Sequence, residues 1–287
     1  MASPLEILIS AGLISGFYSI IAVGFMLVLG VAGVENIAHG AYALVGAYTV
    51  LTLTQLLGLP AIVAYPVAIL VGAGLSVLTF KGLIKRIEGD SIRIFMCTLL
   101  LAMCVEQVIT LGFTGAVRSI EPLISGNIEV LGIRVSLNLV LAFFLAWSSI
   151  GGLAWFVNKT YLGRAIVATS MDRKGAILTG VSTQKVYITT FAIAGGLATL
   201  GGTLYGSYTM VYPHMWSFIL VISFVVVLFG GIGSIMGTAM GAIIVACAET
   251  AMVYLVDPVF KSIIGLVMVI VILLVRPQGL FGREEIS

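Results

Sequence analysis

The sequence predicts an all-α polytopic membrane protein: eight or nine transmembrane helices with broken or re-entrant segments, arranged as a two-half pseudo-repeat in a single transmembrane domain over residues 1–287. Three observations lead there. Hydrophobic residues make up 60% of the chain and charged residues 9%, with a mean hydropathy of +1.20, more apolar surface than a water-soluble globule can hide. The apolar residues fall into runs close to the ~20 needed to cross hydrocarbon. The basic residues are gathered rather than spread, which reports orientation in a bilayer. A formal charge of +2 is too small to suggest a nucleic-acid partner.

In chain order, spans are expected near Leu5 to Leu29, Ala41 to Leu57, Ala61 to Phe80, Ile94 to Phe113, Leu137 to Val157, Val186 to Tyr205, Trp216 to Phe229, Met236 to Leu255 and Ser262 to Val275. The run from Trp216 is short enough to be re-entrant or broken, hence eight or nine. The N-terminal MASPLEIL lacks a basic region and a cleavage site, so the first span is expected to be retained. Cys97, Cys104 and Cys247 lie in apolar segments without metal-ligand spacing and read as buried thiols, so no metal is expected.

Of fourteen basic residues, eleven fall in three segments: Lys81, Lys85, Arg86 and Arg93; Lys159, Arg164, Arg173, Lys174 and Lys185; and Arg276 with Arg283. All three segments are expected in the cytoplasm. The loop 114–136 offsets Arg118 and Arg134 with Glu121 and Glu129, and is expected outside. Nine crossings then put the N-terminus outside and the C-terminus in the cytoplasm.

The stretch 158–185, NKTYLGRAIVATSMDRKGAILTGVSTQK, is the longest charged interruption. Ser170 can cap a helix of about nine residues, Asp172 would lie in its first turn, and Gly180 can close it in the left-handed conformation. A helix that short must dock on something. The alternative is an ordinary connecting loop.

Two Gly-containing interruptions, GVENIAHGAYALVGAY from Gly33 and FGGIGSIMGTAMGAI from Phe229, align Asn36 with Ser234. Paired breaks of this kind point to broken helices around a translocation path, whose free backbone groups can meet a polar solute; two tight cytoplasmic turns are the other reading. Glu106 and Glu249 lie within apolar runs, where a carboxylate needs a wet cavity or a partner, so each is either a path residue or an interhelical bond. His39 contacts solute or caps the helix beginning at Gly40. Gly12 with Gly16, Gly202 with Gly206 and Gly237 with Gly241 form small-xxx-small pairs suited to close helix packing. Tyr205, Tyr208, Tyr212 and Trp216 surround His214 as an interfacial belt without chemistry of its own. No phosphate loop, zincin or nucleophile-elbow motif occurs, so any energy for transport comes from an ion gradient, as in a secondary transporter using Glu106 or Glu249, or from another subunit.

Four segments, GVENIAHGAYALVGAY, YLGRAIVATSMDRKGAILTGVS, VVVLFGGIGSIMGTAMGA and RPQGLFG, together resemble the membrane permease subunits of branched-chain amino acid ABC importers, a family that includes urea and short-amide permeases. The resemblance implies two permeases forming a pore, most often one of each of two related types. It implies two cytoplasmic ATPases that hold the ATP and Mg²⁺, an external solute-binding protein, and no cofactor on this chain. It places DRKGAILTG at the coupling loop, with Arg164, Asp172, Arg173, Lys174 and Gly180 as coupling residues. Asn36, His39, Ser234, Glu106 and Glu249 become candidates for the path. Gly175 stands where the family commonly has alanine, and Glu35 and Ile37 stand where an apolar residue and an aromatic are frequent, so a substrate other than leucine-like amino acids is compatible.

Overall fold

The computed structural model describes residues 3–276 and 278–281; Pro277 and Gly282 of the terminal RPQGLFG motif, and Arg283 beyond it, lie outside them. The helices are α1 (Pro4–Ala32), α2 (His39–Leu51), continued by a π turn (Thr52–Leu56), α3 (Ala61–Gly82), α4 (Ser91–Phe113), α5 (Leu137–Lys159), α6 (Tyr161–Met171), α7 (Arg173–Leu178), α8 (Thr183–Tyr208), α9 (Met215–Gly230), α10 (Ile235–Leu255) and α11 (Lys261–Val275). Each expected span falls on one of the nine apolar helices, and the segment from Trp216 is one unbroken helix. Among the described residues seven helical segments are long and apolar enough to cross a membrane, α11 only together with the 3₁₀ turn before it (Pro258–Val275, 18 residues); α9, at 16 residues, and α2, at 13, are shorter. The protein is a multi-pass membrane protein.

The termini follow local chemistry. Ser3 Oγ accepts from the Glu6 amide ahead of Pro4 in the first turn of α1, and Gly33 at φ 65° closes it. Asp90 accepts from the Arg93 amide to start α4, and Ser234 from the Gly237 amide to start α10. The loop 114–136 holds a hairpin of β1 (Asn127–Val130) and β2 (Ile133–Ser136), antiparallel with Asn127 opposite Ser136. Asn138 ties this loop to the bundle: its Oδ1 accepts from the Leu123 amide and its Nδ2 donates to Ser207 Oγ.

The packing has a two-fold pattern. α1 packs most closely on α10 and α8 on α3; α1 meets α9 and α8 meets α2; α1 crosses α8 and α2 crosses α9. Exchanging α1, α2 and α3 for α8, α9 and α10 maps this set of contacts onto itself. Four crossings, α2 to α5, lie between α1 and α8, so α1 and α8 run in opposite directions and the halves have inverted topology, an arrangement that puts the functional region at their shared centre.

Close approach is concentrated at a few glycines. A Cβ at Gly202 would lie 2.7 Å from the Ala43 Cα and carbonyl oxygen, and one at Gly46 would lie 2.2 Å from Thr199 Cγ2, so α2 and α8 touch backbone to backbone. Gly237 and Gly241 do the same against Gly230, and Gly16 against Phe143. Gly12 corrects the expectation: nothing lies within 4 Å of its would-be Cβ, whereas Gly16, one turn on, meets Phe143.

Candidate functional site: a charged helix pair and a recessed helix start

The charged stretch forms two short helices rather than one of about nine residues. Thr160 Oγ1 accepts from the Gly163 amide and starts α6, which carries Arg164. Ser170 does not cap; it lies in the last turn of α6, donating to the Val167 carbonyl. The cap is Asp172, whose Oδ1 accepts from the Lys174 amide 2.9 Å away and starts α7 at Arg173. Asp172 wins because it follows Met171, the point where the α6 backbone turns extended (φ −150°, ψ 103°), whereas Ser170 is still helical. Gly180 adopts φ 83° and closes α7 as expected, with its amide on the Ile177 carbonyl and the Val181 amide on Ala176. Gly175 also finds a reason: a Cβ there would sit 2.5 Å from Asp172 Oδ2.

Arg173 ties this pair to the bundle. Its guanidinium bonds to Glu88, in the segment between α3 and α4, and lies 5.4 Å from the Tyr187 ring centroid at the start of α8. Ala176 is buried, while Ile177 and Leu178 are 51% and 87% exposed. α7 thus presents an apolar tip flanked by charge, held from below by both halves.

Within the bundle the two interruptions differ. His39 Nε2 lies 3.0 Å from the Ile21 carbonyl, and a Cβ at Gly24 would touch the His39 ring. Ile21 is eleven residues before the end of α1, so α2 starts about 16 Å in from that end. The Ile37 amide donates to Thr98 Oγ1, about 10 Å up α4 from its start. The chain therefore turns back into the bundle over 33–38 before α2 begins. Gly233, in contrast, packs against Gly30 near the end of α1, and the Leu280 and Phe281 amides donate to the Phe229 and Gly230 carbonyls. The second interruption is a tight turn at the bundle's end.

The alignment of Asn36 with Ser234 is thereby corrected. By the two-fold pattern, 33–38 corresponds to 209–214, between α8 and α9, and the turn at 231–234 corresponds to the α2–α3 turn at Gly58. The shared Gly-rich text reflects backbone turns in the left-handed region, not equivalent places. Ser234 caps α10 and lies apart from Asn36.

Asn36 is 1% exposed; its Nδ2 donates to Tyr42 Oη at 3.1 Å and its Oδ1 has no partner among the described residues. His39 is fully buried, and does not cap: no side chain caps α2, and the ring reaches α1 instead, against Phe25 and Tyr42. Its Nδ1 also lacks a partner among the described residues. Glu249 accepts from Tyr18 Oη at 2.6 Å, with Lys261 Nζ at 3.7 Å, joining α10 to α1 and α11. Glu106 accepts from Trp216 Nε1 at 2.5 Å and lies 3.1 Å from His214 Nδ1, fixing the start of α9 to α4. His214, expected to be a belt residue only, is thus part of an interhelical pair; its pairing with a glutamate 108 positions earlier carries no signal in the sequence.

A family described as "Branched-chain amino acid transport system / permease component" matches residues 7–273, and the chain belongs to it. Among its relatives, the high-affinity branched-chain amino acid transport system permease protein BraD of Pseudomonas aeruginosa is 25% identical, over 99% of this chain and 97% of that one. LivH of Escherichia coli K12 is also 25% identical, over 94% and 92%. The autoinducer 2 import system permease protein LsrC of Salmonella paratyphi B is 31% identical over 56% of this chain and 52% of its own. No solved structure matches the chain significantly.

Proposed function

We propose that this chain is the permease subunit of an ATP-binding cassette importer in the bacterial inner membrane, with its N-terminus outside and its C-terminus in the cytoplasm. It carries a small polar solute, a branched-chain or other amino acid, by alternating access. A second permease, either a copy or a related chain, completes the pore. Two cytoplasmic ATPases hold ATP and Mg²⁺, and an external binding protein delivers the solute. Selection by that delivering protein allows the pore a sparse set of polar contacts, of which Asn36 and His39 at the recessed start of α2 are the centre.

The observation that carries this reading is α7. A six-residue helix, capped at both ends and showing Ile177 and Leu178 to solvent, is built to be gripped. When ATP binding draws the ATPases together, a helix so held moves as a rigid body with its socket. Arg173 passes that motion to the α3–α4 connection through Glu88 and to α8 through Tyr187. Arg164 and Lys174 supply the charge around the tip.

The test is the variant Asp172→Arg in the complex reconstituted with its ATPases and binding protein. Loss of the α7 cap, about 1 kcal/mol on a helix with little stability of its own, with reversal of charge at the docking surface, should abolish solute-stimulated ATP hydrolysis and leave membrane insertion intact. Unchanged stimulation refutes the role given to α7.

A further inference from the structure

We propose that Glu106, Gln107 and His214 form a water-exposed, cation-selecting site in the outer half of the translocation path, where the ammonium group of an incoming solute is drawn to the Glu106 carboxylate. The proposal rests on the permease reading but concerns residues that reading leaves as a packing bond.

The geometry comes from depth. Glu106 lies seven residues before the end of α4, about 10 Å inward, and fifteen residues from its start, so it falls inside a ~30 Å hydrocarbon layer. At that depth a buried interhelical bond is ordinary. This one is not buried: His214 has 69% of its side chain exposed, Glu106 has 18%, and the neighbouring Gln107 is exposed on the same outward stripe of α4. Around it the outward face of α4 is apolar, with Leu100, Met103, Val108 and Leu111 exposed, and so are the outward faces elsewhere. α11 presents Ile263, Leu266, Ile270 and Leu274, and α3 presents Ile62 and Leu70. Hydrocarbon accepts those faces; it does not accept an exposed carboxylate, imidazole and amide side by side. Lipid therefore does not cover this patch, and on the side where a second permease completes the pore we place water over it, as part of the path.

Chemistry gives the sign. Trp216 Nε1 and His214 Nδ1 each occupy one carboxylate oxygen, which fixes the group but leaves lone pairs on both oxygens for a further donor. A staple for α9 would need only the Trp216 bond. The exposed imidazole and the Gln107 amide extend the polar surface outward from Glu106, as a site for a hydrogen-bond-donating cation would.

The experiment uses the assembled complex with Cys97, Cys104 and Cys247 replaced by alanine and Gln107→Cys added. The thiol is challenged from outside with a cationic and an anionic methanethiosulfonate at about pH 8, above the ordinary imidazole range. Both reagents should react, the cationic one faster. Glu106→Gln, which still accepts the Trp216 bond and so keeps α9 in place, should lower the ratio of cationic to anionic rates about three- to tenfold, as expected for one charge removed about 7 Å away in a wet site. No reaction with either reagent, or a ratio indifferent to Glu106→Gln, overturns the proposal. Failure of the importer reading is distinguishable: it would appear as labelling that persists but does not respond to ATP at the partner subunits.

Discussion

Tyr18→Phe separates the two roles open to Glu249. The Tyr18 hydroxyl donates to Glu249 Oε2 at 2.6 Å, and both side chains are buried between α1 and α10, the most closely packed pair of helices in the protein. Transmembrane hydrogen bonds contribute ~0.6 kcal/mol on average and up to ~1.7, and bonds to charged groups lie at the upper end of their range. Lys261, at 3.7 Å, remains as a weaker partner. The expected loss is therefore about 1.5 kcal/mol, roughly a tenfold fall in the folded to unfolded ratio. A double-mutant cycle with Glu249→Gln should return about 1 kcal/mol of coupling, since the pair is in direct contact. Equilibrium unfolding in mixed detergent measures the stability and uptake measures the KM. If Glu249 is a packing residue, Tyr18→Phe shifts the unfolding midpoint and leaves the KM alone. An unchanged midpoint with a KM raised tenfold would refute the reasoning and place Glu249 in the path.

Asn36→Leu removes the bond to Tyr42 and fills the space before α2 with an apolar group, so uptake should fall tenfold or more while co-purification of the ATPases is unchanged; normal uptake would reduce 33–38 to a structural turn. Gly202→Leu forces a side chain into the Ala43 backbone 2.7 Å away, an overpacking that costs about 1–3 kcal/mol or more, and should abolish a monodisperse peak in size-exclusion chromatography. Gly12→Leu, with open space around it, should remain within about 0.5 kcal/mol of the parent; equal damage from both would mean that the α2–α8 contact is not as close as described.

Much of the fold was legible in the text of the chain. All nine apolar runs became helices within a few residues, because the transfer of apolar side chains out of water is a local property that a window of ~20 residues captures. Caps were legible where the residue type left one choice, as at Gly180. They were misread where two candidates stood close together: Ser170 and Asp172 are both good caps, and the start of α7 depended on where α6 ran out. The candidate site was legible only as a list. Asn36, His39, Glu106 and Glu249 stood out as polar residues in apolar surroundings, yet nothing in the sequence joined Glu106 to His214 and Trp216, or Glu249 to Tyr18, across gaps of 108, 110 and 231 positions.

By itself, then, the sequence determined the solvent this protein lives in, the number of its apolar segments and the places where the helices break, since each follows from the chemistry of neighbouring residues. Tertiary structure decided which break matters. Two Gly-containing turns that share a handful of positions lie at different depths, one drawn about 16 Å into the bundle and one left at its end, because depth is set by the lengths of the surrounding helices and by which backbones can touch. Those are properties of the whole packed molecule, and no local stretch of chain contains them.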